Sequence, residues 1–190
     1  LEGVTEVDDL ESIAQGAAGE VFVLASQSHS RKGHRPPARS AFLRLTAEGA
    51  ALRATGEVHL AELIDAAGAE VAARLGLGGG TDELEIEGMT FHDGALYLGL
   101  KAPLDAEGGA LIWRVVDPGA LFEKKTLDAA GLSLWGRVGL DAEVDGKAVP
   151  GGISELLFLP DGSLAVAATA TRHSRPDSTV ARRRPLGWRA

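Results

Sequence analysis

The stretch Glu85-Ile86-Glu87-Gly88-Met89-Thr90-Phe91-His92-Asp93-Gly94-Ala95-Leu96-Tyr97-Leu98-Gly99-Leu100-Lys101 decides the fold. Apolar residues alternate on both sides of Asp93-Gly94, a dipeptide that tolerates the positive φ angles of a type I′ turn, so the stretch reads as a two-stranded hairpin. Counting outward from the turn pairs His92 with Ala95 and Phe91 with Leu96. At the open end it sets Glu87 opposite Leu100 and Ile86 opposite Lys101. A second copy runs Ile153-Ser154-Glu155-Leu156-Leu157-Phe158-Leu159-Pro160-Asp161-Gly162-Ser163-Leu164-Ala165-Val166-Ala167-Ala168-Thr169. In both copies a Glu stands six residues ahead of the Asp-Gly aspartate, and apolar residues follow in step: Leu96, Leu98 and Leu100 against Leu164, Val166 and Ala168. A looser third copy is Asp9 to Ala14, a turn at Ala17-Ala18-Gly19, and Glu20 to Ser26.

Further strand-like runs lie at 41–46 and 52–60 after the earliest hairpin, and at 110–116 and about 132–140 after the middle one. A hairpin plus two strands is a four-stranded meander. Meanders in series are the blades of a propeller, whose faces are buried only when neighbouring blades stack. The turn glycines Gly19, Gly94 and Gly162 are 75 and 68 residues apart, longer than a compact blade of about 40 to 50 residues, so insertions are expected. One insertion has helical spacing, with Leu60, Leu63, Ile64, Ala67, Val71 and Leu75 on one face, Gly68 inside the run and Gly76 to end it. A closed ring needs at least about four blades. The expectation is therefore an all-β chain: a β-propeller fragment of about three four-stranded blades with one short inserted helix, spanning residues 1–171. A β-sandwich of about ten strands is the alternative. Residues 172–190 read as a basic tail, disordered or cut off from the blade it would continue into.

The 190 residues contain no Cys, which excludes disulfides, thiolate nucleophiles and cysteine-based zinc or iron–sulfur sites. The net charge of −8 conceals an asymmetry, since the tail holds six Arg and one Asp and leaves 13 basic against 26 acidic residues before it. An acidic body disfavours nucleic acid as a partner. No run approaches the roughly 18 apolar residues of a membrane span. A soluble protein is expected, cytoplasmic or periplasmic, with no membrane partner. The sequence starts at Leu1, not Met, and no basic stretch followed by an apolar run precedes a cleavage site, so a targeting signal is neither seen nor excluded.

Four phrases, Asp9-Leu10-Glu11-Ser12-Ile13-Ala14, Ser28-His29-Ser30, Ile86-Glu87-Gly88-Met89-Thr90 and Leu98-Gly99-Leu100-Lys101-Ala102-Pro103-Leu104, resemble in their order an uncharacterised bacterial family, the domain of unknown function numbered thirty-six sixteen. The resemblance covers about residues 1–171 and is most specific over 85–104. It implies a propeller-like fold and, more distantly, similarity to the propellers called esterase-like phytases. Lys101 stands where the family usually shows Arg, and Ser12 where it usually shows Gly. No activity is established for the family, so the resemblance implies none.

The hairpin register places Glu85, Glu87 and Lys101 at one open end, Asp9 and Glu11 with Ser26, Ser28 and His29 at a second, and Glu155 with Thr169 at a third. In a propeller these ends share one rim around the central channel. Oxygen ligands in that number suit Ca²⁺ or Mg²⁺, and such an ion can hold a phosphate for hydrolysis. His29 would serve as acid or base and Lys101 as an anion contact. Two functions follow: a rigid rim that binds a small anionic ligand or a protein partner, and a Ca²⁺- or Mg²⁺-dependent phosphoric ester hydrolase. A third reading is structural, with each Glu bonding the neighbouring blade's amides and locking blade to blade.

Other motifs carry less. Ser28 and His29 are adjacent in a strand and point to opposite faces, so they cannot form a triad hydrogen bond. His29 and His34 lack the spacing of a zinc pair. Gly76-Leu77-Gly78-Gly79-Gly80 follows a helix and lacks the Lys-Ser/Thr ending of a phosphate loop, so it reads as a linker. The basic loop from Arg31 to Arg39 reads as a mobile strand connection, or as an anion-binding rim loop.

Overall fold

The computed structural model describes residues 6–49, 51–144 and 146–170; the basic tail lies outside them. Strands β1 (Leu10–Gln15), β2 (Glu20–Ala25), β3 (Ala41–Glu48) and β4 (Ala51–His59) form one antiparallel meander. Strands β5 (Glu85–His92), β6 (Ala95–Ala102), β7 (Ala110–Val115) and β8 (Ser133–Val138) form a second. A third sheet has the order β11-β10-β9, from β9 (Asp141–Val144), β10 (Lys147–Phe158) and β11 (Leu164–Ala170). The protein is thus mostly β, built of open antiparallel sheets, none of which closes on itself. All three repeated hairpins form. Asp93 and Gly94 take φ 47° and 79°, the positive pair that a type I′ turn requires.

The helical content exceeds the single inserted helix expected. Gly68, at φ 90°, splits the run into α2 (Leu60–Ala67) and α3 (Ala69–Arg74), its amide bonding back to Ile64 O and Asp65 O. Three more short helices are described: α1 (Pro37–Ser40), α4 (Pro118–Lys124) and α5 (Leu127–Ala130). Helix α4 starts where Asp117 accepts the amide of Ala120 at 2.9 Å and Pro118 occupies the first turn, an N-cap followed by a proline that lacks the amide an N-terminus leaves unpaired.

Phe22, Phe42 and Phe122 interlock in the core between the first two sheets, with ring centroids 5.1 and 5.8 Å apart across Phe122. Trp113 is fully buried there and donates its indole N–H to Leu75 O at 2.8 Å. A second core joins the other face of the second sheet to β10 and β11, through Tyr97, Ile112, Ile153 and Leu156, with Phe158, Leu164 and Val166 at its margin. The three sheets are therefore stacked, and the leading hairpin strands β1, β5 and β10 lie side by side along a groove of about 350 Å³ lined by Ile13, Met89, Phe91 and Leu157.

Two glycines set how closely the third sheet approaches. A Cβ at Gly99 would press 3.1 Å from both Ile153 Cβ and Leu156 Cδ1, and one at Gly152 would overlap the main chain of Lys101, 2.6 Å from its Cα. Both strands meet where only hydrogen is tolerated on the backbone.

Candidate functional site

Glu87 and Lys101 come together because both strands that carry them are bulged at that level. In the β5–β6 ladder Gly88 pairs with Gly99 and Ile86 with Leu100, so Glu87 is an extra residue; Glu85 then pairs with Ala102, so Lys101 is one too. The straight register expected from the turn holds from His92 down to Gly88 and fails below it. The bulges re-aim the two side chains toward each other. Lys101 Nζ bonds Glu85 Oε1 at 3.0 Å and also Glu87 Oε1, with its side chain only 9% exposed. Burial opposes the charge on Lys101, but the hydrogen bonds it donates to Glu87 and Glu85, with their charges, outweigh it and raise its pKa.

The first sheet delivers its own acids to the same place. Glu11 is the extra residue of a bulge in β1, where Leu10 pairs with Ala25 and Ser12 with Leu24. Its carboxyl is raised from 4.5 to about 7, chiefly by burial, then by Glu87 and Asp9 and more weakly by Glu85, against the lowering effect of Lys101. Glu11 therefore holds and releases a proton near neutrality. Asp9, at φ 58°, accepts the hydroxyl of Ser26 at 2.7 Å and that of Ser28 at 3.4 Å. Arg39 on α1 closes this flank, with Nη1 3.1 Å from Asp9 Oδ2 and Nε 3.2 Å from Asp8 Oδ2. Behind it Gln27, fully buried at φ 61°, donates its side-chain amide to Ser40 O at 2.8 Å and Ala25 O at 3.2 Å.

Of the residues singled out in the sequence, Asp9, Glu11, Glu85, Glu87 and Lys101 meet at one seam between two sheets. Glu155 does not join them. A bulge at Ser154 sets Glu155 opposite Ala167, not Thr169. The carboxylate accepts the amide of Leu156 at 2.9 Å, and the residue is exposed. The structural counterpart of Glu11 and Glu87 in β10 is therefore Ser154; counting back from Asp161 gave the wrong residue because the β10–β11 loop is longer than a two-residue turn, closing through Leu159 N and Ser163 O at 2.8 Å. No hydrogen bond or ion pair among the described residues ties His29 to the carboxylates, which leaves it without an acid–base partner at the seam.

The Ca²⁺ or Mg²⁺ expectation meets an obstacle. Among the described residues no three His, Asp or Glu side chains are disposed to hold a metal ion, and the cation at the centre of Glu85 and Glu87 is the Lys101 ammonium. An anion would have to displace both carboxylates from Lys101.

The basic loop is pinned. Arg35 donates through Nε to Gln27 O and through its two terminal nitrogens to Thr81 O and Thr81 Oγ1, and Thr81 in turn donates to Asp65 at 2.7 to 2.8 Å. Burial lowers the Arg35 pKa, partly offset by Asp65, Asp82 and Glu62. Arg35→Met should release the loop: trypsin cleavage after Arg31 and Lys32 should accelerate at least about tenfold, which corresponds to about 1.4 kcal/mol of lost local stability. An unchanged cleavage rate would show that Arg35 does not hold it.

Sequence reading placed Ser26 beside Asp9, as found, but missed Gln27 and the pairing of Arg39. The signal for Arg39 was present but cryptic, a lone Arg at the end of a basic loop. For Gln27 there was none. A second cavity, about 530 Å³, opens between the glycine loop that enters β5 and the loop that leaves β6, bounded by Gly78, Gly80, Asp82, Leu104, Asp105 and Arg137, with Arg137 Nε 3.4 Å from Asp105 Oδ2. No helix among the described residues is long and apolar enough to cross a membrane. No family model, curated protein or solved structure matches this chain.

Proposed function

We propose that the chain is a run of propeller blades whose rim, at the seam of the first and second sheets, binds a small ligand carrying a primary ammonium group. The blade reading is supported by the repeated meander, by face-to-face stacking of successive sheets, and by the alignment of β1, β5 and β10. One observation carries the ligand reading: four carboxylates from two sheets converge there, and both cations beside them are already engaged. Lys101 is held by Glu85 and Glu87, and Arg39 is divided between Asp8 and Asp9. The seam is net negative even with Glu11 protonated. Besides burial, its other carboxylates raise the Glu11 carboxyl across the seam, and such a negative field suits a three-donor ammonium better than a phosphate.

Titration with putrescine, myo-inositol and inorganic phosphate, followed by amide chemical shifts, tests this. Putrescine should shift the amides of Glu11, Ser26 and Glu87 saturably. Glu85→Gln, a substitution at a carboxylate that is 30% exposed, should weaken that binding about tenfold, the worth of one charge-assisted hydrogen bond. Phosphate shifting these amides while putrescine leaves them unmoved would reverse the assignment.

A further inference from the structure

We propose that the seam between the first and second sheets is a proton-operated joint: with Glu11 protonated β1 and β5 stay closed at their charged ends, and ionisation of Glu11 loosens them there. This needs no ligand and goes beyond the binding role. The first sheet brings Asp9 and Glu11 to the seam; the second brings Glu85 and Glu87 on β5 and Lys101 on β6. The residue that follows β2 is the uncharged Ser26, and β10, packed on Lys101, presents Gly152 with no side chain. Lys101 is the one cation among the described residues that acts on Glu11, and it is shared with two other carboxylates. Arg39 lies beyond Asp9 and is taken by Asp8 and Asp9.

A charged Glu11 would add a fourth negative group to a seam whose cation is already committed. Against that repulsion stands a backbone bond across the seam, Ile86 N to Ser26 O at 2.9 Å. The residues beside Ser26, Asp9 through its carbonyl and Gln27 in sequence, are both non-glycine residues at positive φ, a conformation that costs about 1 kcal/mol or more and relaxes if the contact opens. The sign follows from the acid. Its folded-state pKa of about 7 lies above the ordinary 4.5, so the stabilisation is complete at acid pH, below the ordinary value, and is lost as pH rises through about 7.

Hydrogen exchange of the full chain at pH 5.5 and 8.5, corrected for intrinsic rates, reads the joint directly. Protection of the Ile86 amide should fall at least about tenfold at the higher pH, while Leu98, inside the second sheet, keeps its protection. In Glu11→Gln the difference at Ile86 should vanish. The proposal is overturned if Ile86 is equally protected at both pH values, if Leu98 falls with it, or if the fall persists in Glu11→Gln. Should that variant not fold, the side-chain carboxyl carbon of Glu11 in the unmodified protein decides. A midpoint near 7 supports the joint, and one in the ordinary carboxylate range refutes it.

Discussion

Gly152→Ala should detach the third sheet from the second and lower the midpoint of thermal unfolding by about 6 to 12 °C. The Cβ it adds meets main chain, 2.6 Å from both Lys101 Cα and its carbonyl carbon, and main chain in a paired strand cannot rotate aside as a side-chain tip would. Overpacking of this kind costs about 3 kcal/mol at the upper end of its usual range, and for a chain of this size each kcal/mol moves the midpoint by about 2 to 4 °C. The strand must retreat, and its retreat separates Phe158 from Tyr97, whose rings now stand edge to face at 4.8 Å, with Trp135 5.1 Å from Tyr97 on the other side. Near-ultraviolet circular dichroism should therefore change along with the midpoint. A variant melting within about 2 °C of the parent would mean that β10 is not seated as described.

Lys101→Met should cost about 3 kcal/mol at pH 8 and distinctly less at pH 6. Methionine fills similar volume, so the loss is electrostatic: Glu85 and Glu87, whose side chains are 30% and 13% exposed, would be left with their shared cation removed. Stranding partly buried charge in this way typically costs about 3 to 5 kcal/mol. The pH dependence has a definite sign. Burial raises the Glu11 carboxyl and Lys101 is the group that pulls it down, so without the ammonium Glu11 holds its proton still more readily in the folded state than unfolded, and stability rises as pH falls. Urea unfolding at the two pH values measures both quantities, and Lys101→Arg should recover most of the loss because the charge is restored. Equal stability of Lys101→Met and the parent at pH 8 would show that the cluster is solvated and its ion pairs inconsequential.

The sheets were legible because their signal is local. Alternation with Asp-Gly or a glycine turn needs only one segment to be read, and the runs at 41–46, 52–60, 110–116 and 132–140 became β3, β4, β7 and β8. The run at 60–75 was read as a helix, but its division at Gly68 required knowing that the backbone there would take φ 90°. Helix α4 had a readable start in Asp117-Pro118 that the strand pattern overshadowed. The meeting of the carboxylates was legible in outline, since both hairpins open toward one end. The particular pairing was not. A bulge leaves no mark on composition or periodicity, so Glu87 reads as Leu100's neighbour when it is Lys101's, and Glu155 reads as Glu87's equivalent when Ser154 holds that place. Arg39 was hidden for another reason: its partners Asp8 and Asp9 lie 31 and 30 positions away, and only the folded loop brings them near.

Each of β1, β5 and β10 carries its supernumerary residue at the same depth, Glu11, Glu87 and Ser154. Removing that residue from any one of them would exchange that strand's inward and outward sets while the other two stayed in phase, turning Ala14, for example, out of the core and Ile13 into it. Chain length at this level is consequently held more tightly than chemistry. In β10 a serine holds the offset that glutamate holds in β1 and β5, so an uncharged side chain can fill that place but a missing link cannot be replaced.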